Sequence, residues 1–436
     1  MHTHRRVRRL PRPVGFWLLA ATLLAFLAAS SAPSPLYVVY QHQWGFSPTV
    51  LTEVFAVYVL ALLVALLSVG GLSDHLGRRP VLFAALVVEA ASMVVFLTAG
   101  GVGALFLARI LQGVATGAAA GAISAGLIDL QPSPTSALGS LLNTLASASG
   151  LAVGALGAGL LVEYAPAPTH LVFVLLTALF MVLAVLVLYL PDPVSPRPGA
   201  WASLRPRAAV PAQARRAFLI AAPCLVATWA IAGLYLALGP SLSAGVLHLT
   251  SHLVGGLVVA TLFGTAAVAS LLTGGMTSRR MMAGGSALLA VGTGLTLLAL
   301  AGPSTALFFV GTALGGLGFG AAFLGAFRSL AVLARPEERA ELFASLYVVS
   351  YLALSVPAVV AGFAVPHFGL HSTATVYGVV VVVLALLSAA SAAFARRPAA
   401  VTPAAPVAGS ADGPAAGPTT VPAATSVAAG EPGTGA

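Results

Sequence analysis

From residue 15 to residue 394 this chain is a succession of apolar blocks, each about 20 residues long and closed by a short polar, Pro or Gly break. A block of that length crosses the hydrocarbon core of a bilayer as an α-helix, because lipid offers its backbone N–H and C=O groups no other partner. Cutting at the breaks gives twelve candidate spans before Arg396 and none in the last forty residues. Only 7% of the residues are charged and the mean hydropathy is +1.01, whereas soluble domains carry about 25% charged residues. The expected fold class is an all-α membrane protein with twelve transmembrane helices.

All twenty basic residues are Arg, and all but Arg109 fall in alternate links between spans: the N-terminus, Arg78 and Arg79, the 197–216 region, Arg279 and Arg280, Arg328 to Arg339, and Arg396 and Arg397. The intervening links carry no Arg, so the positive-inside rule predicts cytoplasmic termini and cytoplasmic basic links. The net charge of +9 is thereby spent on topology, and nucleic acid is not expected as a partner. Arg5 to Arg12, the apolar run after them and Ala28-Ala29-Ser30 imitate a secretory leader; an even number of crossings favours reading residues 15–40 as the first span. The single Cys224 permits no intrachain disulfide and reads as a packing residue.

Two separated segments recur. Gly113, Gly117, Ala118 and Ala119 in the fourth span return as Gly316, Gly320, Ala321 and Ala322 in the tenth, 203 residues on; Gly70-Gly71-Leu72-Ser73 returns as Gly274-Gly275-Met276-Thr277, 204 residues on. The near-equal shifts predict a parallel duplication about a pseudo-two-fold axis along the membrane normal. The expected organisation is a basic N-terminus (1–14), a six-helix bundle (15–190), a Pro- and Arg-rich linker (191–215), a second six-helix bundle (216–395) and a tail (396–436). The tail's Ala, Pro, Gly, Thr and Ser cannot bury a core, and it is expected to be disordered and cytoplasmic.

The link after the second span concentrates charge and glycine: Gly70-Gly71-Leu72-Ser73-Asp74-His75-Leu76-Gly77-Arg78-Arg79. Asp74 can accept hydrogen bonds from the free N–H groups of a neighbouring helix start, and Arg78 can bridge to a second carboxylate, for which Asp129 at the end of span four is placed. With Gly70, Leu72, Ser73, Asp74, Gly77, Arg78 and Arg79 at this spacing, the chain resembles a member of the major facilitator superfamily over residues 15–397. The resemblance implies that Gly70, Asp74, Gly77, Arg78, Arg79 and Asp129 form a conformational latch holding the halves together in an outward-facing state. In that latch Asp74 faces the start of span eleven, here Arg335 to Arg339. In the second half Ser278 stands where Asp74 does and Val332 where Asp129 does, so the latch is single.

Three charges lie within the spans. Arg109 is several residues inside span four, where its burial demands water or a partner; helical spacing puts it on one face with Gln112, Gly113 and Thr116. The run from Arg109 to Gly117 resembles the family's span-four motif, which implies a role in proton coupling; backbone carbonyls can also hold such an Arg. Glu89 in span three lies at a similar depth and can pair with Arg109 or make a structural hydrogen bond. Glu53 near the outer end of span two is either a protonatable carboxylate or a helix-start carboxylate favoured by the dipole.

The family's cavity is lined by spans one, four, seven and ten, which implies Ser34, Tyr37, Gln112, Thr116, Trp229, Tyr235 and Phe319 as substrate-cavity residues, with Asn143, Tyr347 and Tyr351 beside them. Trp and Tyr also anchor helices at membrane interfaces. Ala155 replaces the Pro of the drug antiporters' span-five motif, and span one has no acidic residue for a cationic drug. Aromatics with few polar groups suit a small amphipathic molecule. No His-Glu-x-x-His or Gly-x-Ser-x-Gly motif points to an enzyme, and no metal or cofactor is expected. The expected function is secondary transport by alternating access, as proton-coupled export of a drug or metabolite. The alternatives are proton-linked uptake or facilitated diffusion and, from another class, a non-transporting receptor or scaffold. The lack of Lys and wealth of Ala, Gly, Pro, Val and Arg point to a GC-rich bacterial genome, hence a bacterial inner membrane; a monomer is expected.

Overall fold

The computed structural model describes residues 9–133, 138–192, 201, 204, 208–249, 251–333 and 338–394, with the backbone alone at 339 and 340. The expected tail, most of the linker and the first eight residues lie outside these.

Each candidate span is a helix. The first half comprises α1 (Arg12–Trp44), α2 (Pro48–Val69), α3 (Arg78–Leu97), α4 (Val102–Leu130), α5 (Leu138–Tyr164) and α6 (Leu171–Val187). The second comprises α7 (Arg215–Gly245), α8 (His252–Leu272), α9 (Ser278–Ala301), α10 (Thr305–Ala331), α11 (Arg339–Phe368) and α12 (Leu370–Phe394). Eleven are long and apolar enough to cross a membrane; α6, with 17 helical residues, is the short one. At 1.5 Å per residue it covers roughly 25 Å, and the turn at 188–190 continues it.

Local chemistry sets the breaks. Ser47, Thr277 and Ser304 cap α2, α9 and α10, their hydroxyls accepting from Val50, Arg280 and Leu307 N–H. In α1 the helix is interrupted at Ala32, before Pro33 and Pro35. Proline withholds two N–H groups there, and the Ser30 and Ser31 hydroxyls donate to the carbonyls of Phe26 and Ala28.

The repeat is built from backbone-to-backbone approach. Gly113 and Gly117 of α4 lie against the carbonyls of Tyr58 and Leu62 of α2; Gly316 and Gly320 of α10 lie against those of Leu262 and Ala266 of α8, 204 residues later. A Cβ at any of the four would collide with that carbonyl oxygen. Lipid supplies no hydrophobic drive between helices, so this close van der Waals fit is what holds them. The main crossings between the halves are α2 with α11 and α5 with α8, which exchange under the same pseudo-symmetry.

The crossings are tight at the face opposite the Arg-bearing links. The Thr49 hydroxyl donates to Gly362 O at 2.9 Å. On the other crossing the Glu163 carboxylate accepts from His252 N–H at 2.8 Å and lies 3.4 Å from His252 Nδ1. Gly159 sits with its Cβ direction 3.2 Å from Gly256 Cα. The Thr49–Gly362 and Glu163–His252 hydrogen bonds thus join the halves at this face.

Replacing Gly113 with Val is expected to force α4 off α2, at a cost of about 1–3 kcal/mol for overpacking. The lowered melting temperature of the detergent-solubilised protein reads this, and Gly103→Val, whose site is open, is the unchanged control.

Candidate functional site

The glycine-rich turn links a helical turn, Ser73–Leu76, to the start of α3. Gly77 joins them at φ +97°, a conformation that other residues enter only with strain. Asp192, just past α6, accepts from Arg79 N–H at 3.1 Å, and a Cβ on Gly77 would lie 2.6 Å from the same carboxylate oxygen. Position 77 thus needs glycine for two reasons, and Asp192 plays the part of a cap for α3. Sequence reasoning missed it: a lone Asp after a helix has no motif to mark it.

Arg78 is 8% exposed and holds the turn to the end of α4. Its Nε donates to Asp129 Oδ2 at 3.3 Å, its Nη1 to Ser73 Oγ at 2.7 Å, and the same nitrogen pairs with Asp74. Arg12 adds a hydrogen bond to Asp129 O at 2.9 Å. Asp74, Arg78 and Asp129 are therefore together as a string, with the Asp74 side chain 60% exposed on the Arg-bearing face. Its expected partners Arg335 to Glu337, and the Arg339 side chain, lie outside the described residues. In the second half, Arg279 donates instead to the terminal carbonyls Ala392 O and Ala393 O of α12, and Arg328 to Gly274 O. Val332 is exposed there, and among the described residues that turn is pinned to carbonyls with no carboxylate taking part.

Arg109 is fully buried in the first half, on the face of α4 that also carries Gln112 and Thr116. Its Nε donates to the Tyr37 hydroxyl at 2.7 Å, and its Nη1 to Ser30 O at 3.0 Å and to Gln112 Oε1. The rings of Tyr37, Tyr58 and Phe96 stand 5.5, 5.0 and 5.8 Å from its Cζ. Glu89, equally buried, forms no direct ion pair with it. Gln112 bridges them, its Nε2 donating to Glu89 Oε1 at 3.3 Å and to Ala29 O at 3.0 Å. Arg109 Nη2 and Glu89 Oε2 are buried with no hydrogen-bond partner, so the network retains one unused donor nitrogen and one unused carboxylate oxygen. Glu53 is apart from this cluster, half-buried in the second turn of α2. Tyr58, which donates to Ser30 Oγ at 2.8 Å, is a member that an apolar run gave no reason to choose.

The expected cavity residues divide. Tyr37 and Gln112 belong to the Arg109 network. Trp229, Phe319 and Tyr351 cluster in the second half, with Trp229 6.0 Å from Phe319 and 5.7 Å from Tyr351, and Tyr347 stacks on Tyr351 at 6.0 Å. Asn143 accepts from Ser124 Oγ at 2.9 Å. Ser34 and Thr116 are buried with their hydroxyls unpartnered. Tyr235 lies elsewhere, inside the second bundle, its hydroxyl 2.8 Å from Thr312 Oγ1 and its ring against Phe308.

The guanidinium's donors point to three separate acceptors, a geometry that an ammonium cannot copy. Both Arg109→Met and Arg109→Lys are expected to destabilise the first bundle, Met by about 3–5 kcal/mol because it leaves Glu89 buried without its counter-charge. Thermal unfolding in detergent checks the order wild type, Lys, Met, and equal melting of Lys and wild type would count against the three-way hold.

The model of the Major Facilitator Superfamily matches residues 18–280, more than half of the chain. No curated protein matches the sequence. The fold is similar to that of solved chains including a mutant of the nucleoside transporter NupG, at TM-score 0.67 and 14% identity over 87% of this chain and 100% of that one. The family points to a transporter of a small molecule and away from an enzyme. With twelve apolar helices in two repeated bundles and the Asp74–Arg78–Asp129 string between α2 and α4, the chain belongs to the major facilitator superfamily.

Proposed function

We propose that this chain is a proton-coupled exporter of a small amphipathic molecule, working by alternating access as a monomer in a bacterial inner membrane with cytoplasmic termini. The observation that carries the coupling is the buried Glu89–Gln112–Arg109 chain. A carboxyl whose second oxygen lacks a partner can take up and release a proton, and Gln112 passes the change to a cation bound to α1. Glu53, nearer the opposite face, is the entry carboxylate in this reading. Closure of that face, with the Asp74 carboxylate exposed on the other, fits a state open to the cytoplasm in which Asp74, Arg78, Arg79, Asp129 and the Gly70 and Gly77 turn await span eleven. Proton-linked uptake by the same groups is the second reading, favoured only by the reversibility of the cycle.

In proteoliposomes, wild type is expected to move substrate in response to an imposed pH gradient, and Glu89→Gln to lose that response while retaining exchange of substrate for substrate. Substrate movement by wild type indifferent to the gradient would remove proton coupling and leave facilitated diffusion. Alternating access has a separate test at the closed face. Gly362→Leu puts a side chain into Thr52; an overpacking cost of about 1–3 kcal/mol moves a two-state equilibrium about 5- to 150-fold. A cysteine at Val38, between the halves beside Pro240 and His252, is expected to react faster by that order with an impermeant thiol reagent. Cys224 is buried and supplies the low background.

A further inference from the structure

Two aromatic ridges run along consecutive, oppositely directed helices of the second half. On α10, Phe319, Phe323 and Phe327 recur every four residues, with ring centroids 6.3 and 6.4 Å apart. On α11, Phe343, Tyr347 and Tyr351 do the same, Tyr347 and Tyr351 being 6.0 Å apart. The ridges meet at both ends. Phe327 stacks on Phe343 at 4.8 Å and 3° near the Arg-bearing face, and Trp229 of α7 joins Tyr351 to Phe319 and Phe323, 5.4 Å from the latter, deeper in the bundle.

The rings of α10 and α11 stand where the first half has none. At the repeat's shift of 203 residues, Phe319, Phe323 and Phe327 correspond to Thr116, Ala120 and Ser124; at 204, Tyr347 and Tyr351 correspond to Asn143 and Ser147. Positions exchanged by the pseudo-two-fold face the same central axis. One wall is therefore aromatic and the other small and polar, with Ser124, Asn143 and Ser147 linked by hydrogen bonds. No Asp, Glu or Arg occurs in 217–278, 281–327 or 342–394, so apart from His252, His367 and His371 at the helix ends the second bundle's spans hold no group that pairs with an ion. The Trp229 indole N–H, a donor only, is shut off from solvent with no acceptor, and Ser350, fully buried beside Tyr351, has an unpartnered hydroxyl.

We propose that the paired ridges and Trp229 are the recognition wall for the transported molecule, and that this molecule is uncharged and carries a flat conjugated ring with a hydrogen-bond acceptor. The ring stacks on aromatic faces, as π-systems prefer at centroid separations of about 4.5–7 Å. Its acceptor takes the Trp229 N–H, and its polar edge faces Asn143. The ridge gives successive stacking places between the middle of the bundle and the Arg-bearing face. The proposal rests on the transport reading above and names the class of substrate.

Binding and transport are measured separately. In nanodiscs, the full chain with Trp17, Trp44 and Trp201 changed to Phe reports through Trp229 fluorescence. Caffeine, flat and neutral with acceptors, is expected to change the emission saturably; menthol, saturated, and N-methylquinolinium, flat but cationic, are expected to bind at least about tenfold more weakly, a single stacking or charge term at 1.4 kcal/mol per decade. Phe323→Leu and Tyr351→Leu should each raise the caffeine Kd several-fold, with Tyr235→Phe, outside the ridges, as the unaffected control for folding. Equal binding of menthol or the quinolinium, no caffeine binding, or indifference to both ring deletions overturns the proposal. Ring-dependent binding without movement in proteoliposomes would uphold the wall and sink the transport reading; movement of a neutral flat substrate indifferent to both ring deletions would do the reverse.

Discussion

A guanidinium with no exposed surface, set in the middle of six apolar helices, is the interaction on which the first half depends. Arg109 cannot shed its charge, and inside a membrane it has nothing to solvate it except the protein. The structure answers with a hydroxyl, a carbonyl, an amide oxygen and three aromatic faces drawn from α1, α2, α3 and α4. Four helices are thus fixed by one side chain. The break in α1 belongs to the same arrangement: the bend before Pro33 lies beside Ser30, whose carbonyl and hydroxyl both serve the cluster. The indirect approach of Glu89 through Gln112 matters as well. A direct ion pair would be a closed unit, whereas an amide bridge can follow changes on either side.

The second half contains no such charge and solves its packing differently. Its helices meet through glycines at carbonyl distance, and where the first bundle places Thr, Ser and Asn along its inner wall the second places Phe and Tyr. Duplication gave both halves one backbone plan, visible in Gly113 with Gly316 and Tyr58 with Leu262. The side chains have since divided the work, with ionic chemistry in one half and ring surface in the other. The turns diverge in the same sense: Arg78 is held by carboxylates, whereas Arg279 in the second turn is held by the carbonyl end of a helix, a weaker and less switchable partner.

What could be read in the sequence follows from which features have local signatures. The helices were legible because bilayer thickness imposes a length, and only α6 came out shorter than the apolar block suggested. The repeat and the Asp74–Arg78–Asp129 string were legible because glycine and charge are scarce against an apolar background. Gln112 was placed on the Arg109 face by helical spacing, but its part as a bridge depends on the register between α3 and α4, which no local pattern encodes. Asp192, Tyr58, and the Glu163–His252 contact were missed for the same reason: each acts on a residue far away in the chain. The aromatic ridges are a different case. Phe319, Tyr347 and Tyr351 were selected one at a time, and the four-residue recurrence that joins them to Phe323, Phe327 and Phe343 was present in the sequence all along.

The two ends of the molecule are built to unequal tolerances, and this bears on how it can move. At the opposite face the halves are joined by backbone carbonyls, glycines and a carboxylate on a helix N-terminus, contacts that fit only at one separation. At the Arg-bearing face the string from Asp129 through Arg78 ends in a largely exposed Asp74. A steric seal is lost almost entirely once opened by an ångström or two, because dispersion contacts fall off steeply; a charged latch acts over a longer range and is screened by salt. A rocking motion that breaks the first and makes the second exchanges a short-range contact for a long-range one. In the alternating-access cycle proposed above, the barrier then sits near the closed opposite face, and the turn from Gly70 to Arg79 draws the halves together after that seal has parted.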